Sequence, residues 1–207
     1  MRMTVFGATG PTGRQILAAG LAEGHTIRAF ARQPEKIADF SGRVEIVEGD
    51  VLDREVVARA VAGADAVLSA LGTGTELGET TVMSEGTKNI VLAMQAAGVR
   101  RLVVITSGLV KLTGKEPFFV RTVVKHLLRH VIEDHRRLEA VVEASELDWT
   151  IVRPPRLIDD PARGTYRLAR NDRVEGGTEI TRADLAHFIV KEAVAREYLH
   201  TPVMIGH

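Results

Sequence analysis

The chain has 207 residues, and its 27 Lys plus Arg are matched by 27 Asp plus Glu, a formal net charge of zero. That balance argues against a nucleic-acid-binding module, which needs a basic face, and against a polybasic membrane-surface protein. The absence of cysteine removes disulfide scaffolds, thiolate nucleophiles, iron–sulfur clusters and cysteine zinc sites together. The first apolar run turns at Gly7, too early for a signal-peptide core, and no apolar stretch reaches eighteen residues. These features predict a cytoplasmic location and no membrane partner.

Short β-rich runs alternate with longer Ala-rich runs. Strands are predicted at Met3–Phe6, Thr26–Ala31, Val44–Glu48, Ala66–Ala70, Leu102–Thr106 and Trp149–Val152. Several are nearly continuous apolar runs, as expected of strands buried on both faces of a parallel sheet. Helices are predicted at Thr12–Glu23, Arg54–Val61, Thr81–Ala97 and from Phe118 to Ser145. The alternation specifies the α/β class, a doubly wound parallel sheet. Pro154, Pro155 and Pro161 then suggest an extended loop, Thr165–Arg170 a strand, and Thr181 with Asp184 a capped helix before a last strand between Tyr198 and Ile205. No linker divides the chain, so it reads as a single domain over residues 1–207 with a small C-terminal elaboration.

The first strand runs directly into Gly7-Ala-Thr9-Gly10-Pro-Thr12-Gly13. Glycines spaced G-x-x-G-x-x-G between a strand and a helix permit a tight turn, close approach of backbone to a pyrophosphate, and close helix–strand packing. The helix N-terminus offers free N–H groups to the phosphates, and Thr9 and Thr12 add hydroxyl donors. Where an NAD-selective site places an acid, about 20 residues on, this chain has Arg32, followed by Lys36. Two cations and no carboxylate suit the 2′-phosphate of NADP, although both positions also fit solvated surface charges. Asp50 and Val51 end the third strand, where a carboxylate and an N–H can meet an adenine; Asp50 serves equally well as an N-cap. Leu71-Gly72-Thr73-Gly74 ends the fourth, at the sheet edge where such folds hold ligands.

Taken together these words resemble the atypical short-chain dehydrogenase/reductase group, and within it the biliverdin-IXβ reductase / flavin reductase family. The matching residues are Phe6 to Gly13, Gly49 to Leu52, Leu71-Gly-Thr, Thr80-Thr-Val-Met-Ser-Glu-Gly86 and Asn89 to Val91. Thr106-Ser107, Asp134-His135, Pro154-Pro155 and Asp184 to Phe188 continue the match. The resemblance implies a Rossmann fold binding NADPH through Gly7, Thr9, Gly10, Thr12, Gly13, Arg32, Lys36, Asp50, Val51, Leu71, Gly72 and Met83. It adds contacts from Ser107, His135, Pro154, Pro155, Arg156 and Leu157. The implied activity is hydride transfer to flavins, with the flavin a substrate, and to biliverdin-like tetrapyrroles, with quinones accepted loosely by a monomer. Ile105 departs from a cysteine in the mammalian members, Arg156 replaces a histidine, and the stretch between Ser107 and His135 is longer.

The tyrosine with a lysine four residues on that alcohol-handling relatives use is absent, since Tyr166 is followed at that spacing by Arg170 and Tyr198 by Pro202. Flavin reduction needs less, because the acceptor nitrogen takes its proton from solvent. Ser107 is the candidate catalytic residue, by hydrogen bonding near the nicotinamide, with a plain strand-end serine as the alternative. His126 and His130 sit at i, i+4, but no glutamate or cysteine completes a metal word, and no metal is expected. Phe118 and Phe119, after the Gly114–Pro117 turn, fit a stacking wall and a helix-start core pair equally. The alternatives to a small-molecule reductase are a non-catalytic NADP redox sensor and a reductase of one specialised metabolite.

Overall fold

The computed structural model describes residues 1–72, 78–110, 125–172 and 174–207. The chain begins with β1 (Arg2–Phe6), α1 (Pro11–Ala22), β2 (Thr26–Ala31), a 3-10 turn (Pro34–Phe40), β3 (Glu45–Glu48), α2 (Arg54–Val61) and β4 (Ala66–Ser69). It continues through α3 (Val82–Ala97), β5 (Arg101–Ile105), α4 (Lys125–Leu127), α5 (Arg129–Glu143) and β6 (Asp148–Arg153). The last part holds β7 (Arg156–Ile158), β8 (Arg167–Arg170), β9 (Glu179–Thr181), α6 (Arg182–Ala195) and β10 (Thr201–Gly206).

Eight strands form one sheet in the order β3-β2-β1-β4-β5-β6-β10-β8, parallel except where β8 runs antiparallel to β10. The strands are apolar on both faces because both faces are covered. Met3 and Val5 of β1 face Ile16, Leu17, Leu185 and Ile189 of α1 and α6. Phe6 belongs to the opposite core, with Val57, Met83, Ile90, Leu138 and Ile151. Each fully buried side chain of this kind contributes roughly 1.5–3 kcal/mol, which explains why the runs read so clearly as strands. The chain runs outward from β1 to β3, then returns to β4 beside β1. The strand order therefore reverses between β1 and β4, and a crevice opens beyond their C-terminal ends.

The expected α/β class and all six expected parallel strands are present. The proline-rich stretch differs from expectation: instead of an extended loop, Arg156–Ile158 pairs in parallel with Glu179–Thr181 as a separate two-stranded sheet. Thr181 caps α6 as expected, accepting the Asp184 N–H at 3.0 Å. The expected long helix from Phe118 lies outside the described residues as far as 124, and beyond that it breaks at Leu128, between α4 and α5. His126 and His130 consequently flank the break, and His130 Nε2 accepts Arg129 Nε at 3.1 Å. No described helix is long and apolar enough to cross a membrane.

Candidate functional site

A cleft of about 560 Å³ lies over the β1–β4 reversal. Its floor is the turn after β1. Gly7 has φ +74°, and a Cβ there would collide with the Ala70 carbonyl, so this turn requires glycine. Gly10 N–H donates to Gly7 O at 3.1 Å, and Gly10 O accepts Arg14 N–H at 3.0 Å, opening α1. A Cβ on Gly10 would meet nothing nearer than Gly7 O at 3.4 Å, whereas one on Gly13 would lie 2.1 Å from that oxygen. Gly13 is thus a packing residue, and Gly10 presents its bare backbone to open cleft. No side chain caps α1, proline stands in its first turn, and no acid is there. The helix end and the half-exposed Thr9 and Thr12 are left to serve a bound anion. These residues fit the pyrophosphate of a dinucleotide.

On the β2 side, Arg32 and Lys36 line the cleft. The Arg32 guanidinium is 70% exposed and 3.9 Å from the Asp50 carboxylate, a loose pair that leaves it free to engage a phosphate. Lys36 rides on the 3-10 turn, which Arg14 clamps by pairing with both oxygens of Asp39 at 3.0 and 2.7 Å and donating to Lys36 O at 2.6 Å. The Arg14 hydrogen bond holds the Asp39 carboxyl below the usual carboxylate range. Asp50 lines the cleft and accepts Leu52 N–H at 2.9 Å. The N-cap of α2 is Asp53, so the capping alternative for Asp50 is corrected. Val51 lies beneath the cleft with its carbonyl held by Asn89 Nδ2 at 3.0 Å, and a Cβ on Gly86 would strike its methyls. Leu71 and Gly72 form the lip after β4; Thr73 and Gly74 lie outside the described residues.

The far end of the cleft is built by Thr80, Val82, Ile105, Thr106, Leu157 and Arg182. The Thr106 hydroxyl donates at 2.7 Å to Glu139, whose two oxygens receive Arg153 Nε and Nη2 at 2.8 and 2.7 Å. Both members of this ion pair are buried, and it ties α5 to β6 directly behind the cleft wall. Met83 is fully buried, and its N–H donates to Asp134 of α5 at 3.0 Å. Ser84 donates to the same carboxylate through its N–H at 3.3 Å and through its hydroxyl. Asp134 thereby caps α3 from another helix, and the cleft meets that helix start through Thr80 and Val82 rather than through Met83.

Several expected contacts lie outside the described cleft lining. Ser107 is half-buried at the end of β5, its Oγ accepting Leu109 N–H at 3.2 Å; Thr106, one residue earlier, lines the cleft. His135 is buried, Nδ1 meets no hydrogen-bond geometry among the described residues, and burial pushes its pKa down against the opposing effects of Glu139, Asp134 and the Val131 backbone. Pro154 is buried and its carbonyl accepts Gly108 N–H at 2.8 Å, while Pro155 is half-buried. Arg156 is 75% exposed beside Glu179, and of these four loop residues only Leu157 reaches the cleft. Phe118 and Phe119 lie outside the described residues. Both tyrosines sit elsewhere, their rings edge-on to Phe188, and burial raises both phenol pKa values. Sequence reasoning missed Arg14, Glu139, Arg153 and Arg182, and named Asp134 without a role. Of these only Arg182 carried a local signal, being the first residue after a capping threonine at a strand–helix junction.

Comparison with known proteins agrees with this geometry. The chain is 34% identical over 150 residues to a (4-alkanoyl-5-oxo-2,5-dihydrofuran-3-yl)methyl phosphate reductase of Streptomyces griseus, covering 72% of this chain and 46% of that protein. It spans less than half the length of the first curated relatives it matches. Among solved structures it resembles ChuY, an anaerobillin reductase of Escherichia coli, with 24% identity, TM-score 0.84, and 99% and 96% of the two chains covered. A Veillonella parvula short-chain dehydrogenase/reductase in complex with NADP matches with 20% identity, TM-score 0.84, and 100% and 94% covered. Residues 7–195 match the model of a family described as NAD(P)H-binding, which takes in the glycine turn, the cleft and α6, and the chain belongs to that NAD(P)H-binding family.

Proposed function

We propose that the chain is an NADPH-dependent oxidoreductase that reduces flavins or related flat conjugated acceptors such as biliverdin and quinones. The observation that carries this reading is the far end of the cleft. There Val82, Ile105 and Leu157 offer an apolar surface beside the hydroxyls of Thr80 and Thr106, and no phenol–lysine pair is among the described lining residues. Such a wall suits a planar ring that needs orientation rather than an acid catalyst. When bound, the nicotinamide supplies the hydride. The glycine turn holds the pyrophosphate, Arg32 and Lys36 take the 2′-phosphate, and the Glu139–Arg153 pair fixes the Thr106 hydroxyl at the reacting end. Ser107 adds a hydroxyl proton next to it, and the acceptor nitrogen draws its proton from water.

The Streptomyces griseus reductase and ChuY support reduction as the chemistry. The former also favours a second reading, a reductase of one specialised metabolite. The test is NADPH oxidation with FMN, riboflavin, biliverdin and a quinone side by side. Multiple turnovers are expected with at least one flat acceptor, and Ser107→Ala should lower the rate about ten- to a hundredfold with a smaller effect on NADPH affinity. Tight NADPH binding with no reduction above background would overturn the reductase reading in favour of a redox sensor.

A further inference from the structure

We propose that Arg182 selects acceptors that carry an anionic arm, a phosphate or carboxylate on the flat conjugated ring; this rests on the reductase reading above. Arg182 lines the far end of the cleft with Leu157, Ile105 and Thr106. It is the first residue of α6, whose end is already served by Thr181 and Asp184. Nη1 is shielded from water and makes no hydrogen bond among the described residues. The Asp159 carboxylate lies 2.8 Å away, out of line for one. The Arg182 side chain is 21% exposed and that of Asp159 is 79% exposed. A sheltered guanidinium with a misaligned, water-facing counter-ion is poised to exchange it for a ligand oxyanion, which its fork can grip in two-point fashion.

The 2′-phosphate is not that anion. Arg32 stands at the end of β2, whereas Arg182 opens α6, which packs over β4 and β5, and the order β2-β1-β4-β5 spans about 14 Å at ordinary strand spacing. The two cations therefore mark opposite ends of the cleft. Between them Val82, Ile105 and Leu157 supply the apolar surface, so the anion Arg182 takes is an appendage of the acceptor and its ring rests on Ile105 and Leu157.

Two matched pairs test this: FMN against riboflavin for phosphate, and biliverdin against its dimethyl ester for carboxylate. Binding to the NADP+-loaded protein is read by fluorescence or absorbance titration, with turnover measured alongside. The charged member of at least one pair should bind about tenfold tighter, and the pair that shows the preference identifies the arm. Arg182→Gln should bring that ratio to within about twofold of one, and Asp159→Asn should widen it. Ratios near one in the wild type for both pairs, or a ratio unmoved by Arg182→Gln, would overturn the assignment, as would binding of none of the four. An equal loss of NADPH affinity in Arg182→Gln would give the residue to the cofactor instead. Binding selectivity without turnover would overturn the reductase reading and leave the Arg182 assignment standing.

Discussion

Gly10 and Gly13 occupy the same turn, and the structure assigns them opposite vulnerabilities. A methyl group on Gly13 would sit 2.1 Å from Gly7 O and 2.8 Å from Ala8 Cα, both backbone atoms. Relieving that overlap requires α1 to move about 1 Å from β1, against the packing of Ile16 and Leu17, and overpacking of this sort costs about 1–3 kcal/mol. At 2–4 °C per kcal/mol for a chain of this length, Gly13→Ala should lower Tm by roughly 2–12 °C. Gly10 has φ −72° and ψ 160°, which any residue adopts, and open space before it. Gly10→Val should therefore stay within about 1 kcal/mol of wild-type stability, the range of an N-cap change. Its side chain would instead fill the space a pyrophosphate needs. Loss of two charge-assisted hydrogen bonds there, about 3–6 kcal/mol in all, raises the NADPH Kd roughly 10²- to 10⁴-fold. Thermal unfolding followed by circular dichroism and NADPH titration by fluorescence read the two quantities on the same samples. Gly10→Val protein that binds NADPH within threefold of wild type, or Gly13→Ala protein with an unchanged Tm, would refute the division of labour.

Three further outcomes are expected. Arg32→Asp should weaken NADPH binding by about 1.5–3 kcal/mol and leave NADH nearly unchanged; calorimetry at two salt concentrations checks it, and equal wild-type affinities for the two cofactors would count against the 2′-phosphate assignment. Asp134→Ala strands the Met83 and Ser84 donors at the start of α3 and should destabilise by about 2–4 kcal/mol in urea unfolding, with Asp134→Asn losing less. Burial raises the Asp184 pKa, but hydrogen bonds from Arg163 N–H at 2.8 Å, the Thr181 hydroxyl at 2.7 Å and Gly164 N–H at 3.0 Å hold it below the ordinary value. Because the folded pKa is depressed, its contribution is complete above about pH 4 and fades as the pH falls through that lowered value. The stability gap between wild type and Asp184→Asn should narrow below pH 4, and a gap independent of pH would show that the carboxylate charge is immaterial.

The parallel strands were legible because burial on both faces leaves runs such as Leu102–Ile105 without a polar residue, a pattern that survives in one dimension. The glycine turn was legible for a related reason: a strand-to-helix turn around an anion concentrates its requirements into seven consecutive positions. The β7–β9 pair was not, since each strand has three residues, too few for any period to show, and their partners are some twenty residues apart. The i, i+4 spacing of His126 and His130 implied a common helix face, but spacing carries no record of the break at Leu128. Asp50 illustrates a finer limit. It and Asp53 precede the same helix, and only the hydrogen bonds show that Asp53 accepts from Glu55 and Val56.

The same distinction runs through the cleft itself. The end that fits a cofactor draws on residues 7–51 with Leu71 and Gly72, where each contributor follows its own strand and local turn chemistry announces it. Its far end, the acceptor end on the proposed reading, joins Thr80 and Val82 to Thr106, Leu157 and Arg182, spread over a hundred residues and brought together by the packing of α5 and α6 on the sheet. The residues that steady that end are paired over long separations, Met83 with Asp134 and Thr106 with Glu139, and a carboxylate in mid-helix looks the same in sequence whether it faces water or caps a distant helix. Locally encoded and tertiary halves of one site are also separable by mutation. On the proposed reading, changes at Arg182, Leu157 or Ile105 should alter acceptor choice while the glycine turn continues to hold the cofactor.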